Sequence, residues 1–209
     1  DAAVEAAYGV DFGGDEEKVR DIRRRYGDRK IVFTCGRHIP YKGLDTLLRA
    51  DAYIQSDCVV LIGGKGPIDA ELKAIPHSDR VRFLGRLLDD DLRHHLHAAD
   101  IYAFPSNTKA EAFGIAIVEG MYCRCAPVCC DIPGSGVGWV SVGGETGITV
   151  PPNDARALAH AIDTLAADIS ASGIYKEDYE AFHSFLAGCL EQLNREAVIY
   201  DIYFTYPDN

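Results

Sequence analysis

Apolar and polar positions along the chain alternate between two periods. Short, unbroken apolar runs are separated by longer segments in which aliphatic residues recur every three or four positions. The runs read as strands buried on both faces: Ile31-Val32-Phe33-Thr34-Cys35, Cys58-Val59-Val60-Leu61-Ile62, Val81-Arg82-Phe83-Leu84, Ile101-Tyr102-Ala103-Phe104, Ala126-Pro127-Val128-Cys129-Cys130 and Gly147-Ile148-Thr149-Val150. The longer segments predict helices over 15–26, with Val19 and Ile22 on one face, and over 43–55, with Leu44, Leu47, Leu48 and Ile54 at helical spacing. Further helices are expected over a short stretch ending at Ala74 with Pro67 in its first turn, over 89–99, from about Gly114, and over 154–167 with Asn153 as its cap. Strands and helices alternating at this spacing mean βαβ units. The expected fold is therefore α/β, a Rossmann-like doubly wound parallel sheet with helices on both faces. It occupies residues 1–172, counting 1–15 as an Ala-rich, then Gly-rich lead-in. Residues 173–209 leave the alternation and read as a helical, strongly aromatic segment.

Charge narrows the function classes. At 209 residues the chain can bury a substantial core. A net charge of −11 argues against nonspecific nucleic-acid binding and gives no support to attraction by anionic lipid. No apolar run reaches the length of a membrane span and no signal-peptide pattern opens the chain, so a cytoplasmic location is expected. The chain opens at Asp1 without an initiator methionine, which we read as a piece of a longer polypeptide. Its seven cysteines are odd in number and are expected to be reduced. No metal site is expected. Cys123, Cys125 and Cys129 lack paired C-x-x-C spacing, and His94, His95 and His97 do not share one helix face.

Candidate chemistry collects where such a fold binds ligands, beyond the carboxyl ends of the strands. Gly36-Arg37, with Lys42 five residues on, follows the first strand, and Gly63 to Gly66 the second. Gly85-Arg86 follows the third, and Pro105 to Glu111 the fourth. Arg37 as a bidentate fork and Lys42 as a point charge suit a diphosphate. Gly63, Gly64 and Gly66 permit close backbone approach to a ligand. The stretch from Glu111 to Glu119 combines a loop carboxylate, amides of Gly114 and Ile115 at a helix start, and a helix carboxylate. The amides suit an anion and Glu119 suits a ribose diol. Glu111 suits sugar hydroxyls or positive charge at a reacting carbon. Each feature also has a plain reading. Ile115, Ile117 and Val118 are the core face of an amphipathic helix, Arg37 and Lys42 are solvated charges, and 63–66 is a turn without P-loop or dinucleotide spacing.

Taken in order, Gly36-Arg37-His-Ile-Pro-Tyr-Lys42-Gly43, the Gly-x-Gly-Pro turn at 64–67, Phe83-Leu84-Gly85, Pro105-Ser106, Glu111-Ala-Phe-Gly-Ile115 with Glu119, and Gly147-Ile-Thr-Val-Pro-Pro-Asn-Asp154 form a specific set. Over roughly residues 8–170 the chain resembles the C-terminal, donor-binding domain of family 4 retaining glycosyltransferases, the glycosyl transferases group 1 family with the GT-B fold. The resemblance implies two Rossmann-like domains facing a cleft, with an acceptor-binding N-terminal domain absent from this chain. It implies transfer of a hexose from a nucleoside-diphosphate sugar to a glycan, lipid or small acceptor with retained configuration. Neither metal nor other cofactor is implied, and any peripheral membrane association is expected only through the absent half. Arg37 and Lys42 would hold the diphosphate, beside Gly36, Gly64 and Gly66. Phe113, Gly114 and Ile115 would meet phosphate and sugar, Glu111 the sugar, and Glu119 the ribose. Leu84, Gly85 and Arg86 would touch the base. Glu111, Arg37 and Lys42 would be the catalytic set. After Glu119 the stretch Gly-Met-Tyr-Cys-Arg-Cys-Ala-Pro127 departs from the family pattern, with one extra residue and no glycine to close the helix. A nucleotide-sugar 2-epimerase on this fold and a non-catalytic nucleotide-binding module stay as alternatives. A dinucleotide dehydrogenase is disfavoured by the missing glycine fingerprint.

Overall fold

A computed structural model describes residues 14–144 and 146–169. Residues 1–13 of the lead-in and the aromatic segment from 173 onward lie outside these residues, as does Cys189. Six strands form one all-parallel sheet: β1 (Lys30–Cys35), β2 (Cys58–Gly63), β3 (Val81–Gly85), β4 (Ile101–Phe104), β5 (Ala126–Cys130) and β6 (Ile148–Val150). Their order is β3-β2-β1-β4-β5-β6. Register places Ile31 beside Val59 and Phe33 beside both Leu61 and Tyr102. Every residue of β2, β4 and β5 is buried, which explains their unbroken apolar runs. The order reverses between β1 and β4, the switch point beside which doubly wound sheets bind ligands.

The helices are α1 (Glu16–Tyr26), α2 (Leu44–Ala50), α3 (Asp69–Ala74), α4 (Asp89–Ala98), α5 (Ile115–Tyr122), α6 (Val137–Val140) and α7 (Ala155–Ala167). Here α1 packs on α4, α2 packs on α3 and α7, and α5 lies against β4 and β5. Asp15 caps α1 by accepting from the amides of Glu17 and Lys18. Its acidic first turn and basic last turn complement the helix dipole. At the edge of the sheet where strands begin, Asp100 accepts a bidentate Arg23 fork at 2.8 and 2.9 Å and the Ile31 amide at 2.8 Å. Asp51 likewise accepts from Ser78.

Three local expectations need correction. The helix expected over 43–55 stops at Ala50, although Ile54 is buried. Beyond it, the amides of Gln55 and Ser56 are satisfied by the Asp163 carboxylate instead of by helix carbonyls. Pro67 lies ahead of α3, which starts at Asp69. Asp154, not Asn153, caps α7, accepting from the amides of Arg156 and Ala157. Asn153 takes a left-handed backbone with φ of 61° and accepts from Asn107 Nδ2 at 2.7 Å.

The missing glycine after Glu119 is replaced by Arg124 in the left-handed region with φ of 68°. The Arg124 amide donates to Met121 and that of Cys125 to Gly120, both at 2.9 Å. These are the two bonds of a Schellman end, so the extra residue closes α5 and leads directly into β5.

Candidate functional site

The loops that leave β1, β2, β3 and β4 at their carboxyl ends are locked together backbone to backbone. The Gly36 amide donates to Gly63, Gly64 to Gly85, and His38 to Lys65, at 3.3, 2.7 and 3.0 Å. Glycine is needed here for loop packing. A Cβ on Gly64, whose φ is 109°, would sit 1.8 Å from the Gly36 carbonyl oxygen, and one on Gly43 2.0 Å from that of Pro105. A Cβ on Gly66 would fall 2.2 Å from the His38 carbonyl oxygen. The directions left open by Gly64 and Gly66 are thus occupied by protein, a constraint on the loops themselves.

Lys42 and Glu111 meet across two of these loops. Lys42 Nζ donates to Glu111 Oε2 at 2.5 Å, and Ser106 Oγ donates to the same oxygen at 2.9 Å. Both charged side chains are largely buried, at 22% and 13% exposure, which raises the strength of their attraction. The ammonium also lies 5.4 Å from the ring centroids of Tyr41 and Phe104. From the far side, Ser135 Oγ donates to the Glu111 carbonyl and the Gly136 amide to Ala112, at 2.5 and 2.8 Å. The Gly-rich loop after β5 therefore grips the segment carrying Glu111. Phe113 packs against Trp139 of α6 with centroids 5.7 Å apart, and the indole is 58% exposed.

Gly114 adopts a left-handed conformation and no side chain caps the start of α5. Ile117, Val118 and Met121 bury the opposite face, which anchors the helix start in the core. Glu119 lies on the same helix and is only partly exposed. Burial, assisted by the Asp89 carboxylate, pushes its carboxyl up to about 7. The Cys35 thiol is pushed up to about 11, chiefly by burial and then by the Glu119 charge. The end of β1 and the middle of α5 thus face each other electrostatically.

Of the residues singled out from the sequence, Gly36, Gly64, Gly66 and Gly85 share the interlocked loops, and Lys42 and Glu111 are in contact. Arg37 is exposed in the loop after β1; Phe113, Gly114 and Ile115 belong to the α5 entry, and Glu119 lies one turn further along that helix. Leu84 is partly buried against the core, and Arg86 is exposed beyond β3. His38, Asp69 and Ser135 carry no residue-type or spacing signal that assigns them a role. Only the position of His38 beside Arg37, and of Ser135 within the glycine loop, marked them. Among the described residues no group of three or more His, Cys, Asp or Glu side chains is placed to hold a metal ion. Nor is any helix among them long and apolar enough to cross a membrane. An open cleft of about 720 Å³ between the α2–β2 loop and α7 is lined by Tyr53, Gln55, Arg156, His160 and Asp163. It lies at the opposite end of the sheet. Its Arg156 stacks on Tyr53 and its Asp163 caps the loop, so it is a structural feature apart from the site.

A doubly wound parallel sheet with charged loops at the carboxyl ends of its strands defines a Rossmann-like α/β domain. The glycosyl transferases group 1 family model matches residues 29–168, and the chain belongs to that family. It is 36% identical over 163 residues to the D-rhamnosyltransferase WbpZ of Pseudomonas aeruginosa, covering 74% of this chain and 42% of that protein. It is 33% identical over 171 residues to the O-antigen chain mannosyltransferase C of Escherichia coli, covering 80% and 45%. The chain therefore spans less than half the length of these curated relatives. Among solved structures, HepE of Anabaena in complex with UDP and glucose shares the fold with a TM-score of 0.71 at 22% identity, covering 88% of this chain and 52% of that one.

Proposed function

We propose that this chain is the nucleotide-sugar donor-binding domain of a retaining glycosyltransferase that moves a hexose from a nucleoside-diphosphate sugar to a glycan, lipid or small acceptor. The observation that carries the reading is the Lys42–Glu111 ion pair joining the loops after β1 and β4, beside the uncapped start of α5. Lys42 uses one of its three N–H donors on Glu111 and keeps the others for a diphosphate, which Arg37 grips as a fork. The free amides at the start of α5 take a phosphate oxygen in the field of the helix dipole. Glu119 accepts from the two ribose hydroxyls. Those bonds favour its ionised form and offset the burial that opposes it. Glu111, held by Lys42 and Ser106, faces the sugar. The cations stabilise the leaving diphosphate without a metal, and attack occurs on the face from which it departs. Gly85 and its neighbours Leu84 and Arg86 border the base. The second domain of such an enzyme supplies the acceptor site.

Support from known proteins is of two kinds. The similar proteins from P. aeruginosa and E. coli are named as sugar transferases, and the HepE structure contains UDP. The test is a calorimetric titration of the 209-residue chain with UDP, GDP and ADP. Binding of at least one is expected, weakened in Lys42→Ala and Glu119→Ala variants. A titration in which none binds at millimolar concentration overturns the reading.

A further inference from the structure

We infer that His38 is a positioning residue for the diphosphate subsite, holding the loop that presents Arg37 against the glycine loop after β2. The inference rests on the donor-site reading of Arg37 given above. His38 is 1% exposed, whereas its neighbour Arg37 is exposed. Its ring lies between two oxygens that can only accept: Nδ1 is 2.5 Å from Asp69 Oδ1 and Nε2 is 3.3 Å from the Gly63 carbonyl. Its backbone adds two bonds, the amide to Lys65 at 3.0 Å and the carbonyl from Ile68 at 3.4 Å. All four contacts go to the single segment from the end of β2 to the start of α3. Asp69 Oδ1 also accepts the Gly66 amide at 2.9 Å, so one carboxylate oxygen joins the histidine ring to the glycine loop. Burial pushes the Asp69 carboxyl up, but the Gly66 amide and the His38 ring outweigh it and hold the group below its ordinary range.

An apolar residue of similar size would fill this space equally well, and Phe83 is the adjoining ring at 6.3 Å. What histidine adds is directional contact on both sides. Gly66 completes the lock, because its bare Cα lets the loop rest on the His38 peptide. Rotation or displacement of His38 therefore moves Arg37, one peptide away, relative to the loops after β2 and β3. The effect on ligand acts through Arg37.

The experiment measures nucleoside-diphosphate affinity of the 209-residue chain by calorimetry, using whichever of UDP, GDP or ADP binds, with thermal midpoints recorded for every variant. His38→Ala and Asp69→Asn are each expected to raise Kd by about tenfold, as is Arg37→Ala. His38→Asn, whose amide reproduces the Nδ1 donor, is expected to recover part of the loss. The decisive readout is the double variant: His38→Ala is expected to add nothing on an Arg37→Ala background. A general structural role would instead weaken both backgrounds by the same factor. Full additivity, or an unchanged Kd in His38→Ala and Asp69→Asn, overturns the role of His38 alone. If His38→Ala fails to fold, Asp69→Asn carries the same comparison with Arg37→Ala. A wild-type chain that binds no nucleoside diphosphate, or an Arg37→Ala variant of unchanged affinity, overturns the donor-site reading and this inference with it.

Discussion

Replacing Glu119 by glutamine separates what this side chain does for the site from what it does to the fold. The shape of the side chain is kept and only its capacity to ionise is removed. With a folded value of about 7 against an ordinary 4.5, the carboxyl binds its proton more readily in the folded protein than in the unfolded chain. Stability is then greatest below the unfolded value and is lost progressively as pH rises through the folded one. The full gap between the two values is equivalent to roughly 3 kcal/mol. Because the residue keeps some contact with solvent, the expected loss for the wild type by pH 8 is about 1–3 kcal/mol. Glu119→Gln does not ionise and escapes it. Urea unfolding followed by circular dichroism at pH 5 and pH 8 reads the difference. The variant is expected to be the more stable at pH 8, with the two proteins converging toward pH 5. On the donor-site reading its nucleoside-diphosphate affinity should fall, because an amide offers one accepting oxygen where a carboxylate offers two. Greater stability with poorer binding is the signature of a carboxylate kept for a ligand. A stability difference independent of pH, or a wild type that gains stability toward pH 8, refutes the burial argument.

Other predictions follow from the packing. Gly64→Ala places a methyl group against the Gly36 carbonyl in a backbone region hostile to side chains, and should lower stability by about 2–4 kcal/mol in denaturant unfolding. Asp100→Asn removes the charge that Arg23 and Lys30 surround; a loss of about 2–4 kcal/mol is expected at neutral pH. Burial raises the Asp100 carboxyl, but Arg23 and the Ile31 amide prevail and hold it low. The wild type should therefore lose this contribution only as acid carries the pH through that depressed value, while Asp100→Asn should lack this acid-dependent step. Burial raises the thiols of Cys35 and Cys130 to about 11 and that of Cys129 to about 12. In native protein at pH 8, Cys35, Cys129 and Cys130 should accordingly resist a thiol reagent until the chain is unfolded. Rapid labelling of these three would contradict the packing of β1 and β5.

What the residues determined alone was the sequence of elements. Unbroken runs such as Cys58 to Ile62 can be satisfied only between two covering layers, and the intervening aliphatic spacing supplies those layers. The positions of Arg37, Lys42, Glu111 and Glu119 after strands or on the following helix were legible for the same reason, because loops at strand ends are set by local chain direction. Their partners were not. Lys42 and Glu111 are 69 residues apart, and only the pairing of β1 with β4 brings their loops into contact. At glycines 64 and 66 the direction a Cβ would take is filled by the Gly36 and His38 peptides, a fact of loop packing that no spacing records. Arg124 in place of a closing glycine was likewise invisible, since backbone handedness at a helix end is decided by the bonds that β5 and α5 allow together. Long-range pairing converted a string of charged loops into one contacting cluster. It also turned an unremarked histidine into the clasp between two of them.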